Sequence, residues 1–99
     1  MAPKLAAYKE DNNLIESLEG LPIIIKCPVL GTSNYDIQWM KNSLPLETKD
    51  ATKTEAVGHS LHIKNSRQEH TGNYTCVVQN NAGNVSKNFQ LNVLGNKLL

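Results

Sequence analysis

The chain has 99 residues, a length that fits one domain, and a formal net charge of +1 at pH 7. Charged residues make up 19% of it and form no long run of one sign, so we expect neither nucleic-acid binding nor an acidic tail. No apolar run approaches the roughly 20 residues that cross a bilayer, so we expect no direct membrane insertion. Residues 1–4 run into polar sequence, so we expect no signal peptide here, and we interpret the chain as a piece of a longer protein.

Apolar and polar residues alternate in five segments, which is the period of half-buried β-strands. Each segment is therefore predicted to turn one face towards a core and the other towards water. The inward positions, in chain order, are Leu21, Ile23, Ile25 and Cys27; Ile37 and Trp39; Leu61 and Ile63; Tyr74, Cys76 and Val78; and Phe89, Leu91 and Val93.

Short stretches of turn-forming residues separate these segments. They lie at residues 31–34, 42–43, 56–58 and 80–84. No segment keeps a helical period, and short strands at this spacing are typical of an antiparallel sandwich or barrel. We therefore predict an all-β domain of residues 4–94, with linker at residues 1–3 and 95–99.

Cys27, Trp39 and Cys76 all fall on the inward phase of their segments. With two cysteines in the chain, a disulfide-dense miniprotein and a four-cysteine zinc site are excluded. One disulfide bond or two buried thiols are both compatible with this arrangement.

These residues resemble the framework of the immunoglobulin fold, in which a tryptophan packs against a bridge between two strands. Tyr74 lies two residues before Cys76, and the stretch 72–76 is similar to the end of the D-x-G-x-Y-x-C signature. Leu61-His62-Ile63 resembles the strand that precedes this signature.

Two turns carry the resemblance further, to the I-set class of that superfamily: Glu19-Gly20 and the N-x-x-G stretch at residues 80–83. The resemblance covers about residues 3–94 and implies an immunoglobulin-like antiparallel β-sandwich with Greek key topology. It also implies a bridge between Cys27 and Cys76 and a core framework of Trp39, Tyr74 and Leu61.

The chain departs from the family pattern at position 70, where the signature has aspartate and this sequence has His70. In the family that aspartate commonly pairs with an arginine near strand D, but residues 51–56 offer only Lys53. We therefore expect backbone contacts and Tyr74 to hold this corner without that salt bridge. We interpret His70 as a surface turn residue; the alternative is a pH-sensitive corner.

The sequence contains no arrangement of residues that indicates catalysis. No nucleophile is paired with a base, no phosphate-binding loop occurs, and His59, His62 and His70 match no metal-binding spacing. We predict a protein that is not an enzyme and needs neither cofactor nor metal.

The outward phase of the strands around Trp39, Cys76 and Phe89 is the candidate interface, because depletion of charge together with exposed methionine is typical of interface centres. Asp36 is its one charged position. The candidate residues for binding a protein, homophilic or heterophilic, are Gln38, Met40, Thr75, Val77, Gln79, Asn88 and Gln90.

Two other binding modes remain open. Modules of this class usually occur in tandem, so the ends of the domain can contact neighbouring immunoglobulin or fibronectin domains. A weaker alternative is a glycosaminoglycan patch formed by Lys26, Lys64, Arg67 and Lys53.

The resemblance implies two possible functions, one extracellular and one intracellular. Asn73 and Asn84 begin glycosylation sequons, but the composition gives about as many by chance. The pair of cysteines favours an oxidising compartment. We therefore expect an extracellular or cell-surface recognition and adhesion module of a larger protein. The alternative is a structural spacer in an intracellular, titin-like sarcomeric protein.

Overall fold

The computed structural model describes residues 3–5, 13–30, 35–46, 54–57 and 59–95. The described helix is a single short 3-10 turn, Gln68–His70. The strands are β1 (Lys4–Leu5), β2 (Leu14–Leu18), β3 (Ile23–Lys26), β4 (Val29–Leu30), β5 (Asp36–Lys41), β6 (Leu44–Pro45), β7 (Thr54–Val57), β8 (Ser60–Ile63), β9 (Gly72–Asn80) and β10 (Gly83–Leu94).

Two sheets pack against each other and enclose the core. The larger sheet has the order β2-β10-β9-β5-β6, and the smaller has the order β3-β8-β7. A separate pair joins β1 to β4. Every described pairing is antiparallel except that of β2 with β10, which is parallel. The predicted all-β, immunoglobulin-like sandwich is confirmed.

The core consists of the side chains that the period-two pattern points inward. Trp39, Tyr74 and Leu61 are all buried there. The prediction that Leu21 points inward is wrong, because its side chain is 51% exposed. The reason is that β3 begins only at Ile23, so Leu21 lies in the preceding turn and has no strand geometry to direct it inward.

A disulfide bond between Cys27 and Cys76 links the end of β3 to the middle of β9, with 6.1 Å between their Cα atoms. Trp39 is the register partner of Cys76 on β5, so its indole lies next to the bridge. The Cys27 N–H also donates to the carbonyl of His59 at 2.8 Å, so the backbone at the bridge is bonded to the residue just before β8. The two sheets are thus joined covalently at the centre of the sandwich.

The turn predictions had mixed outcomes. Asn42 and Ser43 form a two-residue hairpin loop and both have positive φ, as the mirror-image turns of tight hairpins require. The predicted turn at residues 56–58 is wrong for Ala56 and Val57, because they pair with β8 as part of β7. Residues 31–34 and 51–53, which include Lys53, lie outside the described residues.

The disulfide bond closes a loop with a sequence separation of 49, so its removal should cost about 4 kcal/mol of unfolding free energy. We expect Cys27→Ala combined with Cys76→Ala to lower the urea midpoint accordingly. The fluorescence of Trp39, the single tryptophan, reports the transition. The control is the wild-type protein unfolded by urea in the presence of a reductant, which breaks the same bond. An unchanged midpoint in both samples would show that the bridge adds little to stability.

Candidate protein-recognition face

The outward side chains of β5, β9 and β10 lie side by side in rows across the larger sheet. We call this surface the β5–β9–β10 face. Because directly opposed residues share a face, the strand register defines each row. From one end of the sheet, the first three rows are Asp36, Gln79 and Asn84; Gln38, Val77 and Ser86; and Met40, Thr75 and Asn88.

The candidate interface residues are thus brought together on one surface. Gln90 continues β10 in the next row, opposite Asn73. Met40, Thr75 and Val77 are half-buried, whereas the amide side chains around them are exposed. Polar contacts order part of the face, since the Thr75 hydroxyl donates to Asn88 Oδ1 at 2.6 Å. The surface therefore has a partly apolar centre surrounded by groups that both donate and accept hydrogen bonds.

One strand of this surface was missed by the sequence reasoning. β2 lies alongside β10 and adds Leu14, Glu16 and Leu18 next to Gln90, Asn92 and Leu94 in the register. The neighbouring apolar residues Leu14 and Ile15 obscure the alternation, and a parallel pairing with a distant strand leaves no local signal. Leu18 and Leu94 are register partners and both are about half exposed.

The outer surface of the smaller sheet has a different character. Ile24 is 59% exposed and is the register partner of His62. The exposed residues Lys26 and Lys64 lie beyond this pair in opposite directions along the strands. The glycosaminoglycan patch therefore remains a prediction, because Ile24 and His62 separate two of its cations and Lys53 lies outside the described residues.

The interpretation of His70 as a surface residue is wrong, because its side chain is only 6% exposed. The backbone N–H of Arg67 donates to His70 Nδ1 at 2.9 Å, which folds the ring back over the 3-10 turn. An Nδ1 that accepts this bond corresponds to a neutral imidazole with its proton on Nε2. The Tyr74 hydroxyl donates to the carbonyl of the same residue at 2.6 Å, as the tyrosine corner of the fold requires.

Further hydrogen bonds fix this corner to the larger sheet. The Lys41 ammonium donates to the Glu69 carbonyl at 2.7 Å and lies 5.8 Å from the centroid of the Tyr74 ring. The Val93 N–H donates to the Thr71 hydroxyl at 2.9 Å. The corner is thereby attached to β5 and β10, two of the strands that carry the face.

A buried serine joins the same corner to β2. Ser66 is almost fully buried, its hydroxyl donates to the Leu18 carbonyl at 3.2 Å, and its carbonyl accepts the Gly20 N–H at 2.8 Å. Gly20 has a φ of 95°, which favours glycine at this turn. Leu18 is therefore held on a well-defined backbone although its side chain is exposed.

The described residues show no group of three or more histidine, cysteine or acidic side chains that could hold a metal ion. His59 instead forms a hydrogen bond through Nε2 with the Tyr35 hydroxyl, near the opposite end of the sandwich. Within the residues that the structure describes, no helix has the length and apolar character needed to cross a membrane.

Comparison with known proteins identifies the family. The profile of the Immunoglobulin I-set domain matches residues 9–93, so the chain belongs to that family. It is 37% identical over 73 residues to hemicentin-2 of Mus musculus, which covers 74% of this chain and 1% of that protein. It is 33% identical over 75 residues to fibroblast growth factor receptor-like 1 of Homo sapiens, covering 76% of this chain and 15% of that protein.

Solved structures agree with this assignment. A Dscam structure superposes with a TM-score of 0.81 at 26% identity, covering 94% of this chain and 24% of that one. The titin M3 domain superposes with a TM-score of 0.73 at 25% identity and covers 94% and 97% of the two chains. The chain is thus an immunoglobulin domain like those of extracellular adhesion, matrix and receptor proteins. It spans a small part of the length of hemicentin-2 and of fibroblast growth factor receptor-like 1.

Burial raises the pKa of Tyr74 from 10.0 to about 12, so the folded state favours the neutral phenol. The stabilisation is complete below pH 10, where the unfolded chain also keeps this proton, and is lost as the pH rises towards 12. We expect the urea midpoint to fall across this range. Tyr74→Phe should remove this part of the pH dependence, while costing about 1 kcal/mol at neutral pH through the lost hydrogen bond. Identical alkaline slopes for the two proteins would contradict the assignment.

Proposed function

We propose that this domain is a non-catalytic module that recognises a protein partner through the β5–β9–β10 face. The observation that carries the proposal is the composition of that surface. Among the thirteen outward positions on β5, β9 and β10, Asp36 is the one charged side chain, and Met40 and Val77 lie half-buried near the centre. Interfaces are depleted of charge and enriched in methionine at their cores.

The area of the face determines which strands a stable interface must include. With strands about 4.8 Å apart and rows about 7 Å apart, the outward positions of β5, β9 and β10 together with Leu14 and Glu16 give a footprint of roughly 500 Å². A stable protein–protein contact covers about 800 Å² per partner. The three central strands are too narrow on their own, so the proposed interface includes the β2 side chains Leu14 and Glu16 beside them.

The chemistry of the face is compatible with a second copy of the domain or with a different protein. The side chains of Gln38, Gln79 and Asn88 each offer both a donor and an acceptor, so an identical surface can complement them. A different protein with a neutral, polar surface satisfies the same groups. Self-association is therefore the first property to measure, and heterophilic adhesion is the second.

We propose an extracellular or cell-surface location for the parent protein. The Cys27–Cys76 bridge supports this location, because disulfide bonds are typical of oxidising compartments. The similarity to hemicentins and to fibroblast growth factor receptor-like 1 points in the same direction. Because those relatives are far longer than this chain, neighbouring immunoglobulin or fibronectin domains are further expected contacts.

A structural spacer in a sarcomeric protein is the second candidate function. Leu18, Leu21 and Leu94 are each about half exposed where β2 and β10 end, and the Leu21 N–H donates to the Leu18 carbonyl. Such a group of leucines suits end-to-end contact with an adjoining domain. The likeness to the titin M3 domain supports the same alternative.

We expect Met40→Lys and Val77→Lys to weaken binding by at least about tenfold, which corresponds to about 1.4 kcal/mol, because each would bury an unpaired ammonium. Sedimentation equilibrium measures self-association, and attachment of cells to domain-coated surfaces measures heterophilic binding. Ile24→Lys, which adds the same charge to the opposite sheet, is the matched control. Binding by the two face variants that equals that of the control would exclude this face.

Thiol counting separates the two locations. We expect protein from its native source, denatured without reductant, to show no reactive thiols, because Cys27 and Cys76 are bonded to each other. Two reactive thiols per chain would favour the sarcomeric spacer.

A further inference from the structure

We propose that Asn84 carries an N-linked glycan and that Asn73 does not. Both residues begin a sequon, so the sequence alone does not distinguish them. The structure does, because the two sequons lie in very different parts of the larger sheet. This inference is independent of the partner proposed for the β5–β9–β10 face and depends only on passage through the secretory pathway.

The sequon at Asn84 lies at the turn end of a hairpin. Asn84 follows Gly83, which comes directly after the turn at residues 81–82 between β9 and β10. Asn84 and Ser86 are both exposed and, being two residues apart on a strand, point to the same side. The acceptor amide and the hydroxyl that the sequon requires are therefore both accessible from solvent.

The sequon at Asn73 is held on every side. The Asn73 carbonyl accepts the Asn42 N–H at 2.7 Å, and its own N–H donates to Asn42 Oδ1 at 3.0 Å. The next residue, Tyr74, is fully buried, and the Thr75 hydroxyl that completes the sequon is half-buried and donates to Asn88. The acceptor side chain is exposed, but the rest of the sequon is part of the framework.

The difference in local stability selects between the two sites. Releasing Asn84 from the sheet separates the last two register pairs of a hairpin, Gly83 with Asn80 and Asn84 with Gln79. Releasing Asn73 withdraws Tyr74 from the core. Local opening costs least at strand ends and most in the core, so the folded domain presents only Asn84 to a transferase.

The modification itself balances with one co-reactant, an oligosaccharide linked to a lipid through pyrophosphate. Asn84 Nδ2 forms a bond to the C1 atom of the first sugar, and the bond from C1 to the pyrophosphate oxygen breaks. The electron pair leaves with the lipid pyrophosphate, and the amide loses one proton. No oxidation or reduction takes place.

A glycan at this position limits one end of the face and leaves the rest open. Asn84 lies in the first row, with Gln79 and Asp36. Met40 and Thr75 lie two rows away, about 14 Å along the strands. A glycan on Asn73 would instead lie beside Gln90, within the proposed interface.

The test is secretion of the domain from eukaryotic cells, followed by intact mass measurement before and after treatment with peptide N-glycosidase. We expect one glycan on the wild-type chain and on Thr75→Ala, and none on Ser86→Ala. Ser86→Thr, which keeps the sequon, is the matched control and should keep the glycan. Peptide mapping after glycosidase treatment identifies the site, because the released asparagine becomes aspartate.

An unmodified wild-type chain, or a glycan that persists in Ser86→Ala, would overturn the proposal. So would modification of Asn73 together with Asn84. Urea unfolding of each variant shows that Ser86→Ala and Thr75→Ala are folded, so loss of a glycan is not mistaken for loss of the domain. Self-association is measured separately on the same proteins, so the two proposals can fail independently.

Discussion

The bond between Cys27 and Cys76 is the constraint on which the surface of this domain depends. It fixes Cys76 towards the core at the centre of β9, which is paired on both sides, with β5 and with β10. Because side chains alternate along a strand, Thr75 and Val77 must then face solvent. Since residues that pair across strands share a face, the same alternation holds on β5 and β10. The disulfide bond in the core therefore also determines which side chains of the larger sheet are exposed to solvent.

The period-two pattern predicted most of this arrangement, since alternation along β9 and β10 is clear in the sequence. It failed where tertiary contacts decide the outcome. Leu21 continues the apolar phase of β3 but precedes the strand, whereas Ala56 and Val57 resemble a turn until β8 pairs with them. His70 is predicted at the surface as a turn residue, and nothing local in the sequence reveals that its ring accepts a hydrogen bond from the Arg67 N–H and is buried.

The candidate interface could be predicted in part for the same reason. Its three central strands each carry a core residue that sets the phase, so the outward set, including Gln38 and Val77, follows from the sequence. The contribution of β2 could not be predicted, because the parallel pairing of Leu14 with Gln90 joins distant parts of the chain. The framework residues specify the sandwich, whereas the partner depends on side chains that the fold leaves free to vary.

The parallel pairing of β2 with β10 also determines how the domain would respond to force. Strands near the two ends of the described chain run side by side in the same direction, with five register pairs from Leu14 to Leu18. Pulling the N-terminal end of β2 against the C-terminal end of β10 slides the strands along each other, so the hydrogen bonds share the load together. An antiparallel pair pulled from its open end would instead separate one bond at a time. The pairing of β2 with β10, which widens the exposed face, would therefore also resist unfolding by force in a chain of domains under tension.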